Sequence, residues 1–262
     1  MRRAIESLVA AGLGALVTYT VLKKPRRRHR RHERFMTHTA GTTMGISHDL
    51  LQAAHLLLRH ALEERRQPVY RTAHNHATSL APTIVVTAAT ALDAWLSELI
   101  GYARHTTALP DEQVASVIDI GTVPEKYERS AELLFQKRIR PSTDLKLLSK
   151  LRNEIVHFLP YAQDISARTV PDWLQYLEQH DLLISTNGSA DFHFSQKLSS
   201  YALAYWACET VLAAAEGFAA QAQSSNTLQH FVSAHNFRVT GGLHSPEELH
   251  HYDTQYGLTL TR

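Results

Sequence analysis

The chain has 262 residues, 44% hydrophobic and 20% charged, with 11 Gly, 9 Pro and 1 Cys. These proportions suit a globular protein and exclude collagen-like, disulfide-stapled and wholly disordered chains, since Cys208 alone can close no intramolecular disulfide. The net charge of +2 hides a split: residues 1–34 hold ten Lys/Arg against two Glu, a net of +8, while the rest of the chain is mildly acidic at −6.

The first candidate element is Ala4–Leu22, in which Glu6 is the only charge. That length is about what a helix needs to cross a bilayer core. Lys23-Lys24-Pro25 and an Arg/His run follow at once, so the heaviest positive charge comes after the apolar stretch, unlike a cleaved signal peptide. If the segment spans, two Arg before it and eight Lys/Arg after it keep the C-terminal side cytoplasmic. Residues 1–35 are thus expected to form a membrane anchor with a basic run. A disordered basic leader, or a true start at Met36 or Met44, is the alternative.

From Ile46 the pattern turns helical. Leu50, Leu51, Ala54, Leu57, Leu58, Ala61 and Leu62 recur at helical spacing until Pro68. A second helix is predicted from Pro82 to about Arg104, a third from Glu125 to about Gln136, and a fourth from Ser142 or Thr143 to Phe158, stopped by Pro160. A short helix over Pro171–His180 leads to one β signal, Leu182–Thr186 and Phe192–Phe194 around Asn187-Gly188, which reads as a small hairpin. A long final helix runs from about Gln196 to Gln223. Residues 45–222 are expected to form one all-α domain, a bundle of four to five main helices with a small β-hairpin before the last long helix. Residues 223–262, with Gly241, Gly242 and Pro246, form a C-terminal tail.

Familiar catalytic signatures are missing: the sequence has no GxxxxGK[ST], GxGxxG, GxSxG or HExxH. Among 17 His, His74-x-His76 and His250-His251-x-Asp253 invite a metal reading. Neither has helical i, i+4 spacing with a third ligand nearby, so solvated surface histidines are the expectation, with no metal and no cofactor.

The remaining candidate is Arg152-Asn153-Glu154-Ile155-Val156-His157 at the end of the fourth helix. Leu148, Leu151, Ile155 and Phe158/Leu159 make the apolar stripe, and the motif is read as standing outside it. Asn153 and His157 are one turn apart and share a face, whereas Arg152 is about 140° around the helix from His157. One chain therefore splits the pair, and two copies meeting across a two-fold axis could place each Arg near the other chain's His. Such a cleft has the parts to cleave RNA without metal. Histidine exchanges protons nearest neutral pH and can take one from a 2′-hydroxyl or give one to a leaving oxygen. Arginine can grip a phosphate through two bonds and offset charge developing on it. Asn153 could orient the His ring.

Arg152-Asn153-x3-His157 with Pro160 behind it resembles the R-x4-6-H signature of HEPN domains. Ala91–Ile100 and Tyr201–Thr210 resemble the preceding and closing helices of that family, so the likeness covers about residues 45–222. It implies a helical bundle, homodimerisation and metal-independent endoribonuclease activity in antiviral defence, toxin–antitoxin or RNA-processing systems, with Arg152, Asn153 and His157 as the catalytic set. An RNA substrate and an antitoxin or sensor protein are the implied partners, and membrane attachment would run through residues 4–22, holding a cytoplasmic body at the inner face of the plasma membrane. The alternative is a non-catalytic HEPN-like module binding RNA or protein. Outside the leader no basic stripe with interleaved aromatics supports broad RNA binding.

Overall fold

In the structure, a computed structural model, residues 46–65, 78–107, 109–157, 172–184, 197–222 and 228 are described. The chain divides between Met44 and Gly45, and all described residues lie in the second part. The Ala4–Leu22 segment, the basic run, residues 185–196 of the expected hairpin, both histidine pairs, Pro160 and all of the C-terminal tail except Leu228 lie outside the described residues; Leu182–Ile184, the start of that hairpin, are described and form no strand.

The described part is all-α, with seven helices and no strand pairing into a sheet among those residues. In chain order they are α1 (Ile46–Arg65), α2 (Ala81–Thr107), α3 (Asp111–Ile118), α4 (Val123–Phe135), α5 (Thr143–Val156), α6 (Asp172–Gln179) and α7 (Tyr201–Ala222). Five match the main helices expected from periodicity, and α6 matches the short one. Helix α3 was not expected. It is eight residues long and mostly exposed, but Pro110 before Asp111-Glu112, with Val114 and Val117 buried against Ile100, carries a start signal and a short apolar edge. Helix α7 begins at Tyr201, later than the expected Gln196. The carbonyls of Lys197 and Ser199 accept from the N–H groups of Ile184 (3.1 Å) and Thr78 (2.8 Å), which ties this stretch to other segments before the helix starts.

The bundle is organised around α2. Its apolar residues Ile84, Leu92, Ala89, Val86 and Ala94 fall at about 0°, 80°, 140°, 200° and 280° round the axis and are all buried. A helix apolar on every side must be surrounded by protein or lipid. Here α1, α3, α4, α5 and α7 all pack on it. By length and apolarity α2 could also cross a membrane, yet 78% of that stretch is buried inside the bundle. Thr87, Thr90 and Ser97 return their hydroxyls to carbonyls one turn back (2.7, 2.7 and 2.9 Å), so these polar groups add no unsatisfied donor.

Helix α1 is stitched to the second half of α2 through Ser47, whose N–H and hydroxyl both donate to the Glu98 carboxylate (3.1 and 2.6 Å). Helix α4 places Lys126, Tyr127, Ser130 and Ala131 inward. Phe218 of α7 then gathers Trp95, Tyr127 and Phe135 at ring separations of 5.7, 5.2 and 5.1 Å, which locks α2, α4 and α7 together. The buried face of α4 includes a charge. Lys126, 1% exposed, donates to Asp93 Oδ1 of α2 at 2.5 Å and to Ser97 Oγ at 3.2 Å. Both charges are out of water, so each is tolerable only because the other is there.

Removing one partner should therefore be worse than removing both. Lys126→Met or Asp93→Leu alone is expected to lower the unfolding free energy by about 3–5 kcal/mol. The double variant should recover a large part of that loss in urea unfolding. Additive losses would show that the two charges are not coupled.

A second buried polar group sets a pH response. His55 of α1 is 3% exposed, and neither ring nitrogen has a hydrogen-bond partner among the described residues. Burial first, and Arg59 one turn along second, push its pKa down from 6.5 to about 4. The folded chain holds the ring neutral while the unfolded chain protonates below pH 6.5, so stability falls as pH drops from there towards 4. Compared with wild type, His55→Leu should gain about 2 kcal/mol in relative stability between pH 7 and pH 4.5. A difference between the two proteins that does not change with pH would contradict this account.

Candidate functional site

Helix α5 carries the candidate motif, and its two ends are held differently. At the start, Ser142 is the N-cap and its hydroxyl accepts from the Leu145 N–H at 3.1 Å. Asp144 in the first turn accepts on one oxygen from Tyr176 of α6 (3.0 Å) and from the Trp206 indole of α7 (3.2 Å). Those two bonds fix the start of α5 to two other helices. Leu145, Leu148, Ser149 and Leu151 are buried against the bundle, and α5 packs on α2, α4 and α7. His157 stands 13 residues beyond Asp144, about 20 Å along the axis at 1.5 Å per residue. The motif thus sits at the end of α5 remote from its anchor.

Arg152 and Asn153 are half-buried and His157 is exposed. Arg152 Nη1 donates to Asn153 Oδ1 at 2.8 Å. The His157 N–H donates to the Asn153 carbonyl, also at 2.8 Å, and His157 leaves helical geometry with φ −107° and ψ 28°. Asn153 therefore links the other two, its side chain to Arg152 and its backbone to His157. No hydrogen bond or ion pair joins Arg152 to His157.

Two details differ from the reading of the sequence. Asn153 was expected to orient the histidine ring, but the hydrogen bond its side chain makes is to Arg152, whose Nη1 donates to its oxygen. The motif was expected to stand outside the apolar stripe, which holds for His157 and not for Arg152. At 100° per residue Arg152 lies within about 60° of both Leu148 and Ser149, on the core-facing half of the helix. Its half-burial follows from that position. The 140° offset from His157 survives in the structure, with one side chain turned towards the bundle and the other towards solvent.

The site's supporting contacts were harder to foresee. Nothing in the local pattern announces that Asp144 will meet Tyr176 and Trp206, which are 32 and 62 residues away. A usable signal was an acidic residue at the start of α5 beside two amphipathic helices with indole and phenol groups. Among the described residues no three His, Cys, Asp or Glu side chains gather closely enough to hold a metal ion.

No family model matches this chain, and no curated protein or solved structure matches it either.

Proposed function

We propose that this protein is a metal-independent endoribonuclease of HEPN type, cleaving RNA through a dimeric Arg/His site. The observation that carries the reading is the exposed His157 at the C-terminal end of α5, with the neighbouring Asn153 bonded to the Arg152 guanidinium by its side chain and to the His157 N–H by its carbonyl. In the reaction one imidazole accepts the 2′-hydroxyl proton as the 2′-oxygen attacks phosphorus. The bond from phosphorus to the 5′-oxygen breaks, and a second, protonated imidazole supplies the proton to that leaving oxygen. The products are a 2′,3′-cyclic phosphate and a 5′-hydroxyl. The guanidinium balances the added negative charge on the phosphate oxygens in the transition state.

One chain offers one such histidine, and its arginine faces away from it. A two-fold pair of α5 ends supplies two of each, which is why the reading requires a homodimer. A defence or toxin–antitoxin setting suits an RNase that must be restrained by a partner, and Ala4–Leu22 would tether it to the cytoplasmic face of the membrane. Half-burial of Arg152 is the observation that favours the alternative, a non-catalytic module binding RNA or protein, because an arginine committed to the bundle contributes less to a phosphate.

His157→Ala and Arg152→Ala are each expected to abolish cleavage of RNA by the purified full-length protein in the presence of chelator. The melting temperature should hardly change for His157→Ala, and Arg152→Ala should lose about 1 kcal/mol with the bond to Asn153. Asn153→Ala should be milder in activity. Undiminished activity in either of the first two variants would overturn the Arg152/His157 site, and absence of cleavage by the wild-type protein would leave the binding module.

The full-length protein should sediment as a dimer at micromolar concentration. A fully active monomer would show that Arg152 and His157 act within one chain.

A further inference from the structure

The exposed face of α5 carries charge that the fold does not use. Lys146, Lys150 and His157 are exposed and Asn153 is half-buried. Their spacing of four, three and four residues puts all four within a strip about 60° wide, on the side of the helix away from Leu145 and Leu148. Along the axis Lys150 lies about 6 Å from Lys146, and His157 about 10 Å beyond Lys150. Among the described residues neither lysine forms an ion pair, although Glu154 stands exposed one turn from Lys150. Two like charges at i, i+4 weaken a helix by about 0.2–0.5 kcal/mol, and a lysine placed before the glutamate is the poorer order for a pair. Outside residues 1–34 the chain is net acidic, so a basic row that ends on the candidate histidine, with Glu154 beside it, runs against that overall balance. A local rule broken with no structural return points to a partner of opposite charge.

We propose that Lys146, Lys150, Asn153 and His157 form the track on which single-stranded RNA lies, with Lys146 and Lys150 each holding a backbone phosphate on one side of the phosphate attacked at His157. This rests on the ribonuclease reading and adds to it where the strand runs. The track fits a single strand because the 2′-oxygen must swing into line with the leaving oxygen, which stacking in a duplex resists. Lysine is a point charge on a flexible stem, so the row tolerates variation in phosphate spacing and reads no bases. In the proposed dimer the like-charged rows keep the two α5 faces from closing without RNA, which leaves the cleft open to a polyanion.

The experiment uses the full chain carrying His157→Ala, so that RNA is bound and not cut, and a fluorescent single-stranded oligoribonucleotide titrated from 50 to 200 mM salt. Lysine and glutamine have similar helix propensities, so Lys146→Gln with Lys150→Gln keeps α5 intact. Two phosphate contacts on a single strand contribute about 1.4 to the slope of log affinity against log salt. The double variant should lose that much slope, an affinity difference that changes about sevenfold across the titration. The loss should be the same for different base sequences. In the cleaving background the same pair should raise KM and leave kcat nearly unchanged. A control, Arg129→Gln with Lys137→Gln on and beyond α4, removes equal charge and should change the slope much less.

The outcomes separate the two proposals. Cleavage by wild type, with slope and KM unaltered in the double variant, removes the track and keeps the nuclease. Row-dependent binding without any cleavage keeps the track and removes the catalysis. A control that lowers the slope equally removes the track, because the row then has no privileged role. Absence of RNA binding by wild type removes both.

Discussion

Everything in this bundle follows from the burial of α2 on all sides. A helix whose apolar residues circle the axis has no solvent face to keep, so every neighbour must offer it an apolar stripe. That requirement orders α1, α3, α4, α5 and α7 around it. Apolar contact alone would let those helices slide and rotate, because dispersion and hydrophobic burial have little direction. The directional contacts are few and specific. Ser47 with Glu98 sets α1, Lys126 with Asp93 sets α4, and the rings around Phe218 set α7 against α2 and α4. The buried pair is a poor source of net stability, since desolvating two charges offsets most of their attraction. Its effect is on register: only one rotation of α4 brings Lys126 to Asp93.

The candidate site is placed by the same logic, with the order of its parts reversed. Helix α5 is fixed at its first turn by the Ser142 cap and the Asp144 bonds, and along one face by Leu145, Leu148 and Leu151. Among the described residues its last turn has no hydrogen bond to another helix, and Ile155 packs on the core beside the Asn153–His157 backbone bond and the Arg152–Asn153 contact. A helix anchored at one end presents the other at a defined position, with side chains free to meet something outside the chain. Rigid elements that hold a few unengaged polar groups at their ends make better sites than mobile loops.

Much of this was legible from apolar spacing. The heptad-like run from Leu50 to Leu62 and the stripe of α5 gave their helices within a few residues, because burial on one face leaves a period that survives in the sequence. Helix α3 escaped because eight residues with only Val114 and Val117 inward leave almost no period. Lys126 could not be placed from its own neighbours. A lysine on an apolar face reads as a surface residue until its partner, 33 residues away, is known to be buried too. The same distinction divides the candidate site. The 140° between Arg152 and His157 is local geometry and was available at once, whereas the bond from Arg152 to Asn153 depends on which side the bundle occupies. The lysine row was in plain view at Lys146 and Lys150. It carried no meaning until the buried face of α5 was known, since two lysines become a track only when both face away from the core.

The acidic body is the last constraint on any account of RNA at this site. A net charge of −6 outside the first 34 residues repels a polyanion at long range, and salt screens that repulsion beyond about 10 Å at 0.1 M. Affinity must then come from charges within reach of the strand and not from the general field. Arg152 is half-buried against the bundle, so in the proposed ribonuclease it draws the strand in less than an exposed charge would, and its charge acts best where the phosphate gains negative charge in the transition state. Ground-state attraction falls instead to groups that stand in solvent, and on α5 those are Lys146 and Lys150. The division has a chemical advantage. Under the proposed reading, binding energy taken from exposed lysines leaves the half-buried arginine to discriminate between ground state and transition state. In the proposed ribonuclease, strengthening the lysine row would lower KM, while changes at Arg152 or His157 would alter the rate of the chemical step.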